Sequence, residues 1–276
     1  MTTPALPTPV LLTFDMDAEL LWTARDPAGA DKPVWVSQGH YGPKVGLPRI
    51  LALLRRYDIT ATFFVPGQVV ERYPAQIEAI LEAGLTIEHH SHTHAWSESL
   101  SEEQEAEEFQ LAADAITRAT GRAPRGWRSP AAELTPHSVK LMEKHGMRFS
   151  SNLFDSDSAH LLQAHDRTTG IVELPFAWAL VDTPVFMYTN RVAGRVMSAP
   201  SAVLETWTRE FDGLVEEPGT HFMLATHPQI IGRPSRMWVL EQTVRHVLAS
   251  GRAEFLSCAD YAERVRPGLL AERDAA

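Results

Sequence analysis

The order of apolar and amphipathic segments constrains the fold of this chain more than any other feature. Short apolar runs of strand length recur from one end to the other, and most are separated by segments with helical periodicity. Strands separated by helices of ten residues or more pair in parallel. Seven or eight such units in 276 residues fit an α/β fold of the (β/α) barrel type better than two open sheets. The predicted strands are 9–15, 60–66, 85–89, 125–129, 147–151, 170–175, 221–227 and 253–257.

Several predicted helices carry clear start and stop signals. Ser101-x-x-Gln104 is a capping box, and Thr135-Pro136 combines a cap residue with a first-turn proline. Four helices are followed by a glycine suited to the left-handed position past the last turn, at 84, 121, 146 and 251. The predicted helices are 47–57, 74–83, 101–119, 136–145, 200–216 and 235–250.

The domain organisation follows from what interrupts this pattern. No stretch is rich enough in Pro, Gly or Ser to act as a linker, and no internal repeat is present. We therefore expect one catalytic domain over 1–276, with its core at about 9–260. Residues 152–200 fit the pattern least well and are predicted to be long loops with short embedded elements, which build a substrate pocket or subunit contacts.

Composition excludes several classes of partner. The formal net charge is −10 and the acidic residues are spread out except at 101–109, so no nucleic-acid or anionic-membrane partner is expected. The single cysteine, Cys258, has no internal disulfide partner and is predicted to be buried and inert. The first ten residues lack the features of a signal peptide and no run is long enough to span a membrane, so we expect a cytoplasmic protein.

Histidines are concentrated in the segment IEHHSHTHAW at 87–96. His90 and His94 are four residues apart, which in a helical turn would place both rings on one side. Neutral imidazole is a common ligand for zinc-type metals. His90 and His94 are therefore the candidate metal ligands, whereas His89 and His92 are expected to point elsewhere.

A carboxylate from another strand end completes a catalytic metal site. Asp15 and Asp17 lie two residues apart at the end of the first predicted strand, so both fall on one face of an extended chain. Two carboxylates on one face are costly unless a cation or an arginine lies between them. This favours a division in which one aspartate binds a divalent metal and the other is the base for a water molecule.

Two further polar residues follow predicted strands. Arg128, in GWRSP, can orient a carboxylate and hold it ionised, and His227 ends the apolar run HFMLATH. All four polar clusters thus lie at the carboxyl ends of strands, where (β/α) barrels carry their active sites.

Other residues admit two interpretations. Trp22 and Trp96 follow the proposed ligand motifs and are candidates for substrate binding, whereas the tryptophans at 127, 178, 207 and 238 are predicted to belong to the core. His92 is interpreted as a solvated loop residue or a pocket residue, and His89 as a hydrogen-bonding partner of a ligand. The acidic residues Glu19 and Glu88 would anchor a ligand histidine or be exposed, and a turn is preferred over metal binding for Asp155 and Asp157.

Taken together, the motifs resemble those of the polysaccharide deacetylase, or NodB-homology, family of carbohydrate esterases. They are Asp15-x-Asp17, His90-Ser-x-x-His94, Arg128-x-Pro130 and Leu224-x-x-His227, in the order of the family and over about 9–260. FDMDAELLW, VELPFAW and THPQIIGRPSR are similar to a branch of peptidoglycan-deacetylase-like proteins that includes cyclic imide hydrolases and, more distantly, metal-independent allantoinases. Glu88 departs from the family, which usually has glycine there.

The resemblance implies a distorted (β/α) barrel, a homo-oligomer that is tetrameric in this branch, and a role for each motif residue. Asp15 would be the base and Arg128 its partner. The metal, expected to be zinc, would be bound by Asp17, His90 and His94. His227 would be the acid, and Pro130 would lie beside the substrate.

The implied reaction is hydrolysis of a non-peptide C–N bond. Long covering loops at 152–200 favour a small amide or a cyclic imide as substrate. The alternatives are N-deacetylation of a polysaccharide or peptidoglycan that contains N-acetylglucosamine, and a catalytically inactive carbohydrate-binding barrel.

Overall fold

The computed structural model describes residues 6–24, 26–188 and 196–275. Its strands form one sheet that is parallel except for the pairing of β6 with β7. The strands are β1 (Thr8–Asp15), β2 (Thr62–Val65), β3 (Thr86–His89), β4 (Gly126–Trp127), β5 (Phe149–Ser150), β6 (His160–Ala164), β7 (Arg167–Glu173), β8 (Phe222–Thr226) and β9 (Ala253–Phe255).

Helices connect most of these strands. A π-helical segment, Gly42–Gly46, joins α2 to α3. The helices are α1 (Leu20–Thr23), α2 (Pro33–Tyr41), α3 (Leu47–Tyr57), α4 (Gly67–Arg72), α5 (Pro74–Glu82), α6 (Glu102–Thr120), α7 (Ser138–Lys144), α8 (Asp182–Phe186), α9 (Pro200–Leu214), α10 (Pro228–Ile231), α11 (Pro234–Ala249) and α12 (Cys258–Ala275).

The sheet curls into a distorted barrel. Its strands follow the order β6-β7-β5-β4-β3-β2-β1-β8, and β9 pairs with the first residues of β1. The two ends of this path are joined by single bridges rather than by a ladder, between Ser158 and Thr220 and between Val181 and Ala225. The predicted (β/α) barrel is confirmed, with nine strands in place of seven or eight because β6 lies in a segment that we predicted to be mostly loop, whereas β7 overlaps the predicted strand 170–175.

The barrel is held together by strands with no solvent-facing side. Every residue of β2 and β8 is buried, and so is every residue of β1 except Pro9. Parallel strands covered by helices are apolar on both faces, which is why these segments read as continuous apolar runs rather than as an alternating pattern. The strongest sequence signals therefore came from the strands that position the candidate site.

The local signals identified in the sequence were mostly correct. Ser101 and Gln104 form the predicted capping box at the start of α6. The glycines at 84, 121, 146 and 251 all have a positive φ, between 64° and 74°. The predicted start of α7 was wrong: the helix begins at Ser138, because the Thr135 hydroxyl accepts a hydrogen bond from the His137 N–H in a preceding turn.

Several short or irregular elements were missed. α4, α8 and α10 have only four to six residues, too few to show a helical period. α12 was missed although it has 18 residues, because Pro267 lies inside it. Along the described chain, no helix has both the length and the apolarity required to cross a bilayer.

The close packing of β4 against β5 generates a testable prediction. A Cβ atom at Gly126 would lie 2.0 Å from the fully buried Phe149 ring. Gly126→Ala should therefore lower the free energy of unfolding by about 2 kcal/mol or more, measured by urea denaturation. Gly213→Ala, in α9, is the control and should be neutral or stabilising by up to about 1 kcal/mol, because no atom lies within 4 Å of the added Cβ. Equal unfolding midpoints would contradict this packing.

Candidate active site

The candidate site lies at the carboxyl ends of four parallel strands. Asp15 is the last residue of β1, and Asp17 follows it after one residue. His90 follows β3, Arg128 follows β4 and His227 follows β8. β1 pairs directly with β2 and β8, and β3 lies between β2 and β4, so these strand ends meet at one mouth of the barrel.

Three side chains from two of these strand ends converge on one point. Asp17 Oδ1 lies 3.2 Å from His90 Nε2 and 3.5 Å from His94 Nε2. All three ligand atoms lie within 4.8 Å of one another, and all three residues are buried. Tetrahedral zinc with ligands at 2.0–2.1 Å would separate neighbouring ligand atoms by about 3.3 Å. The geometry thus matches the size of a small divalent cation.

The histidine pair is presented by a loop, not by the helical turn that the spacing suggested. Residues 90–94 follow β3 without helical structure, and Ser91 and His94 have left-handed φ values of 58° and 63°. Non-glycine residues in this conformation carry strain that the surrounding structure must offset, and such residues cluster at functional sites. The prediction of a helix was wrong, because a four-residue spacing also fits this tight left-handed turn.

Hydrogen bonds fix the state of the ligand groups. His90 Nδ1 lies 2.6 Å from the carbonyl oxygen of Arg128, which can only accept, so Nδ1 carries a proton and Nε2 faces Asp17. In the described chain, no donor meets Asp17 Oδ1 or His94 Nδ1 with hydrogen-bonding geometry. Oδ1 is thus a buried carboxylate oxygen lacking a hydrogen bond, an arrangement that costs free energy unless a cation lies against it.

Electrostatics favour the ligand forms of Asp17 and His94. Burial raises the pKa of Asp17, but the surrounding imidazoles outweigh this effect and lower its pKa to about 2. Burial lowers the pKa of His94 to about 4. At neutral pH the aspartate is therefore ionised and the His94 ring is neutral, as metal ligands must be.

Arg128 holds the second aspartate. Its Nη1 donates to Asp15 Oδ1 at 2.7 Å and to Thr13 Oγ1 at 2.8 Å, and its Nη2 donates to Ser151 Oγ at 2.9 Å. The guanidinium lies between the rings of Phe64 and Phe176. These contacts leave it little rotational freedom, so Asp15 is paired with a fixed positive charge.

His227 is paired with a carboxylate that sequence analysis did not identify. The Asp182 carboxylate lies 2.6 Å from His227 Nδ1 and also accepts a hydrogen bond from the His227 backbone N–H at 2.9 Å. Burial lowers the pKa of His227, but Asp182 outweighs this effect and raises the pKa to about 9. The other ring nitrogen, Nε2, lies 4.0 Å from Asp15 Oδ2 and 3.6 Å from Asp17 Oδ2.

A cavity of about 630 Å³ opens onto these groups. Asp15, His90, His94, Arg128 and His227 all line it, whereas Asp17 lies behind them and is fully buried. The walls of the cavity are mainly apolar. Two exposed acidic residues, Glu98 and Glu133, also line it. Its lining also includes Trp96, Ala131, Ala132, Phe176, Trp178, Val181, Thr183, Pro184 and Met187.

The candidate substrate-binding residues do not all line the same cavity. Trp96 lines the catalytic cavity, whereas Trp22 lines a neighbouring one. Pro130 is buried between two lining residues, Ser129 and Ala131. Two tryptophans predicted to belong to the core are instead half exposed, Trp178 at 51% and Trp238 at 46%. That prediction was wrong for both, because a lone tryptophan carries no signal of which way it faces.

Glu19 and Glu88, for which the sequence left two interpretations open, form hydrogen bonds with residues other than the ligand histidines. Glu88 is buried and accepts hydrogen bonds from the Arg125 and Gly126 N–H groups, which joins β3 to β4. Glu19 accepts hydrogen bonds from Arg72 and Tyr73. Neither contacts a ligand histidine through these bonds.

The remaining histidines and aspartates lie outside the cavity lining. His89 Nε2 lies 2.9 Å from the Phe109 carbonyl, and His89 Nδ1 accepts a hydrogen bond from the Ser91 N–H, which helps to fix the strained loop. His92 packs beside Gly67. Asp155 lies 3.8 Å from His160, and the backbone oxygen of Asp157 accepts a hydrogen bond from His221.

Sequence analysis missed three residues that position the site. Asp182 lies in the segment predicted as loop, where Asp-Thr-Pro resembles an ordinary helix start. Gln229, in the THPQ sequence, donates from Nε2 to Asp17 Oδ2 at 3.4 Å. Asn152 accepts a hydrogen bond from the Ser129 N–H next to Arg128. No local pattern announces such long-range partners, although THPQ was singled out as a motif.

Comparison with known proteins identifies the family. A structure from Mycobacterium smegmatis, described as a polysaccharide deacetylase, is 32% identical, superimposes with a TM-score of 0.89 and covers 97% of this chain and 93% of its own. The chain belongs to the polysaccharide deacetylase family. The family model for polysaccharide deacetylase also matches residues 29–150, which include His90, His94 and Arg128. The NodB-homology resemblance is thereby confirmed.

Two other proteins are similar to this chain at lower sequence identity. A peptidoglycan deacetylase from Helicobacter pylori is 26% identical over 257 residues, which cover 84% of this chain and 87% of the relative. The Puue allantoinase is 22% identical with a TM-score of 0.80, covering 96% of this chain and 92% of its own, and this likeness shows the fold alone.

Family membership establishes the class of reaction. Polysaccharide deacetylases are metal-dependent and hydrolyse amide C–N bonds other than peptide bonds, so the chain is a hydrolase of that class. Among the residues that the structure describes, Asp17, His90 and His94 form a cluster with the geometry of a metal site.

The Asp182–His227 pair generates a prediction about pH. Asp182 raises the pKa of His227 from 6.5 to about 9, so the ring keeps its proton until the pH rises through about 9. Asp182→Asn should lower this pKa and move the alkaline limb of the kcat/KM profile to lower pH, with kcat reduced roughly 10²-fold or more. Asp212→Asn is a matched control because Asp212 pairs with the exposed His246. An unchanged alkaline limb would show that His227 is not the group that titrates.

Proposed function

We propose that this polysaccharide deacetylase family member is a zinc-dependent hydrolase of a small amide or cyclic imide. The observation that carries the proposal is the convergence of Asp17, His90 and His94 beside a separately paired Asp15 and His227, all at the base of one bounded cavity. The expected cytoplasmic location and homotetramer remain predictions.

The donor set supports zinc. Two imidazole nitrogens and one carboxylate oxygen are common ligands of catalytic zinc, and they leave a coordination position for substrate or water. Three buried carboxylates, Asp15, Asp17 and Asp182, share this region with one guanidinium and the protonated His227 ring. A divalent cation beside Asp17 would compensate the remaining negative charge.

Asp15 is suited to the role of base. When bound, a divalent metal polarises the substrate carbonyl and lowers the pKa of water. Asp15 lines the cavity and Arg128 binds its Oδ1, so Oδ2, which lies 4.0 Å from His227 Nε2, remains to accept a proton from the attacking water. Arg128 also pairs this carboxylate with a fixed positive charge, since Nη1 lies 2.7 Å from Oδ1.

His227 is suited to the role of acid. Asp182 binds Nδ1 and directs Nε2 into the cavity, and it maintains the proton at neutral pH. From this position Nε2 can donate a proton to the leaving nitrogen when the C–N bond breaks. The base and the acid are thus supplied by β1 and β8, which are neighbouring strands.

Two alanines of the cavity lining offer backbone polar groups. Ala131 and Ala132 line the cavity and have left-handed φ values of 60° and 57°. Their methyl side chains are apolar, so the polar groups at these two positions belong to the backbone. The Ala132 N–H donates to the Ser129 carbonyl oxygen at 2.9 Å, so Ala131 is the residue of this strained turn suited to directing its backbone N–H at the developing oxyanion.

The size of the cavity supports a small substrate. A volume of about 630 Å³ is typical of sites that enclose one small molecule. The segment that contains α8 lies along one side, through Val181, Thr183, Pro184 and Met187. An extended polymer would require a groove that continues across the surface.

A second candidate substrate is a polysaccharide or peptidoglycan that contains N-acetylglucosamine. Trp178 and Phe154 are 51% and 40% exposed, and their rings stack at 4.6 Å beside the cavity. Exposed aromatic faces are suited to contact the apolar face of a ring in the substrate. The H. pylori relative named as a peptidoglycan deacetylase also favours this candidate.

The role of Asp15 can be tested directly. Asp15→Asn should keep one zinc ion per chain, measured by inductively coupled plasma mass spectrometry, and lose at least 10³-fold in kcat, because the amide cannot accept the proton. Asp17→Asn is the comparison and should lose zinc as well as activity. Near-wild-type turnover by Asp15→Asn would remove Asp15 from the mechanism.

Trp178 separates the two substrate classes. Succinimide, hydantoin, allantoin and N-acetylated chitooligosaccharides should be tested with the wild type and with Trp178→Ala. If the substrate is a small imide, Trp178→Ala should change kcat/KM less than threefold. A KM for chitooligosaccharide that rises tenfold or more, together with no imide hydrolysis by the wild type, would instead favour the polysaccharide. Trp238→Ala, another half-exposed tryptophan, is the control.

A further inference from the structure

A second cavity, of about 340 Å³, lies beside the catalytic cavity and shares Met187 with it. It is formed by α2, α8, α10 and the start of α11, and it includes the arginines of the GRPSR sequence at 232–236. The mechanism described above uses none of these arginines. We call this cavity the arginine cavity.

The arginine cavity has an unusual charge balance. Arg233 and Arg236 line it, and none of its other lining residues is acidic. Most arginines of this acidic chain pair with a carboxylate, as Arg128 does with Asp15. In contrast, no carboxylate within the described ranges lies at ion-pair distance from Arg233 or Arg236. Asp182 acts on Arg236 only from beyond that distance. Two guanidinium groups without an ion-pair partner in the described chain thus lie in one cavity, and they favour an anionic ligand.

The guanidinium groups are held in place by neighbouring groups. Arg233 stacks on the Tyr41 ring at 3.5 Å. Arg236 donates from Nη1 to the Ile230 carbonyl at 3.0 Å and lies 5.3 Å from the Phe186 ring centroid. Burial lowers the pKa of Arg236 and outweighs the opposing effect of the Asp182 charge. The two cations are therefore largely positioned before a ligand binds.

A buried donor provides an independent indication of a ligand. Trp22 lines the arginine cavity and is 5% exposed, and its Nε1–H has no acceptor among the residues that the structure describes. A buried N–H without an acceptor costs about 1–3 kcal/mol. The first turn of the 16-residue helix α11 also lines the cavity, through Ser235 and Arg236, so the positive end of its dipole adds to the same field.

We propose that the arginine cavity binds a small organic carboxylate. The flat guanidinium group matches the two oxygens of a carboxylate, and the Trp22 N–H can donate to the same group. Trp22, Phe186, Met187 and Ile230 give the cavity an apolar side that suits a carbon chain. This combination fits an organic acid better than a strongly hydrated inorganic phosphate.

The position of the arginine cavity links it to the reaction. Amide hydrolysis by this family releases a carboxylic acid, and Met187 lies between the cavity where the acid would form and the cavity that would bind it. Gln229 lines the arginine cavity and donates to Asp17 Oδ2. An anion bound there would thus be one side chain away from the candidate metal ligand, although binding itself does not depend on the proposed substrate.

Isothermal titration calorimetry tests the proposal with acetate, succinamate and inorganic phosphate as probes. The zinc-loaded protein and the chelator-treated protein should both bind one carboxylate per chain with similar affinity. Arg233→Met and Arg236→Met should each weaken binding at least tenfold, whereas Arg245→Met, an exposed arginine of α11, should not change it. Circular dichroism checks the fold. Arg233→Met keeps the test valid if Arg236→Met fails to fold, because the Arg233 side chain makes no hydrogen bond within the described chain.

Three results would overturn the proposal. The first is equal affinity in Arg233→Met and the wild type, or no saturable binding of either carboxylate. The second is binding that disappears when zinc is removed, since it would place the carboxylate at the metal. The third is tighter binding of phosphate than of both carboxylates, which would assign the cavity to a different class of anion.

Discussion

The site depends on how buried negative charge is compensated at one mouth of the barrel. Asp15, Asp17 and Asp182 are almost fully excluded from water, and a buried carboxylate is stable only with a cation or hydrogen bonds. Each has a different compensating group: Arg128 for Asp15, the protonated His227 for Asp182, and the His90–His94 pair with its expected cation for Asp17. The proposed roles of base, acid and metal ligand follow from these pairings.

The fold supplies this arrangement because short parallel strands end at the same level. β1 is central, with β2 and β8 as its neighbours, so residues far apart in sequence meet within hydrogen-bonding distance. The contact between Arg128 and Asp15 joins residues 113 positions apart, and that between His227 and Asp182 joins residues 45 apart. Six non-glycine residues of the described chain have a left-handed φ, and four of them, Ser91, His94, Ala131 and Ala132, lie in loops around the cavity; the other two are Ala18 and Asp58.

The features that could be predicted from the sequence are those that depend on residues close to one another in the chain. Fully apolar strands, the Ser101 capping box and the strand-end positions of Asp17, His90 and Arg128 were all recognisable, because each depends on residues close in sequence. The partners that complete the site were not recognisable in this way. Asp182 lies in a segment whose hairpin and short helices carry weak periodicity, and nothing near it indicates that it binds His227. The direction in which Trp178 faces likewise depends on packing, not on its neighbours in sequence.

The proposed chemistry requires one cation bound between residues at the ends of β1 and β3. Anomalous diffraction from crystals of the zinc-loaded protein, recorded on both sides of the zinc absorption edge, measures the position of that ion. We expect one strong peak per chain, about 2 Å from Asp17 Oδ1 and from the Nε2 atoms of His90 and His94. A peak bound by other residues, or fully loaded crystals with no density among these three side chains, would contradict it.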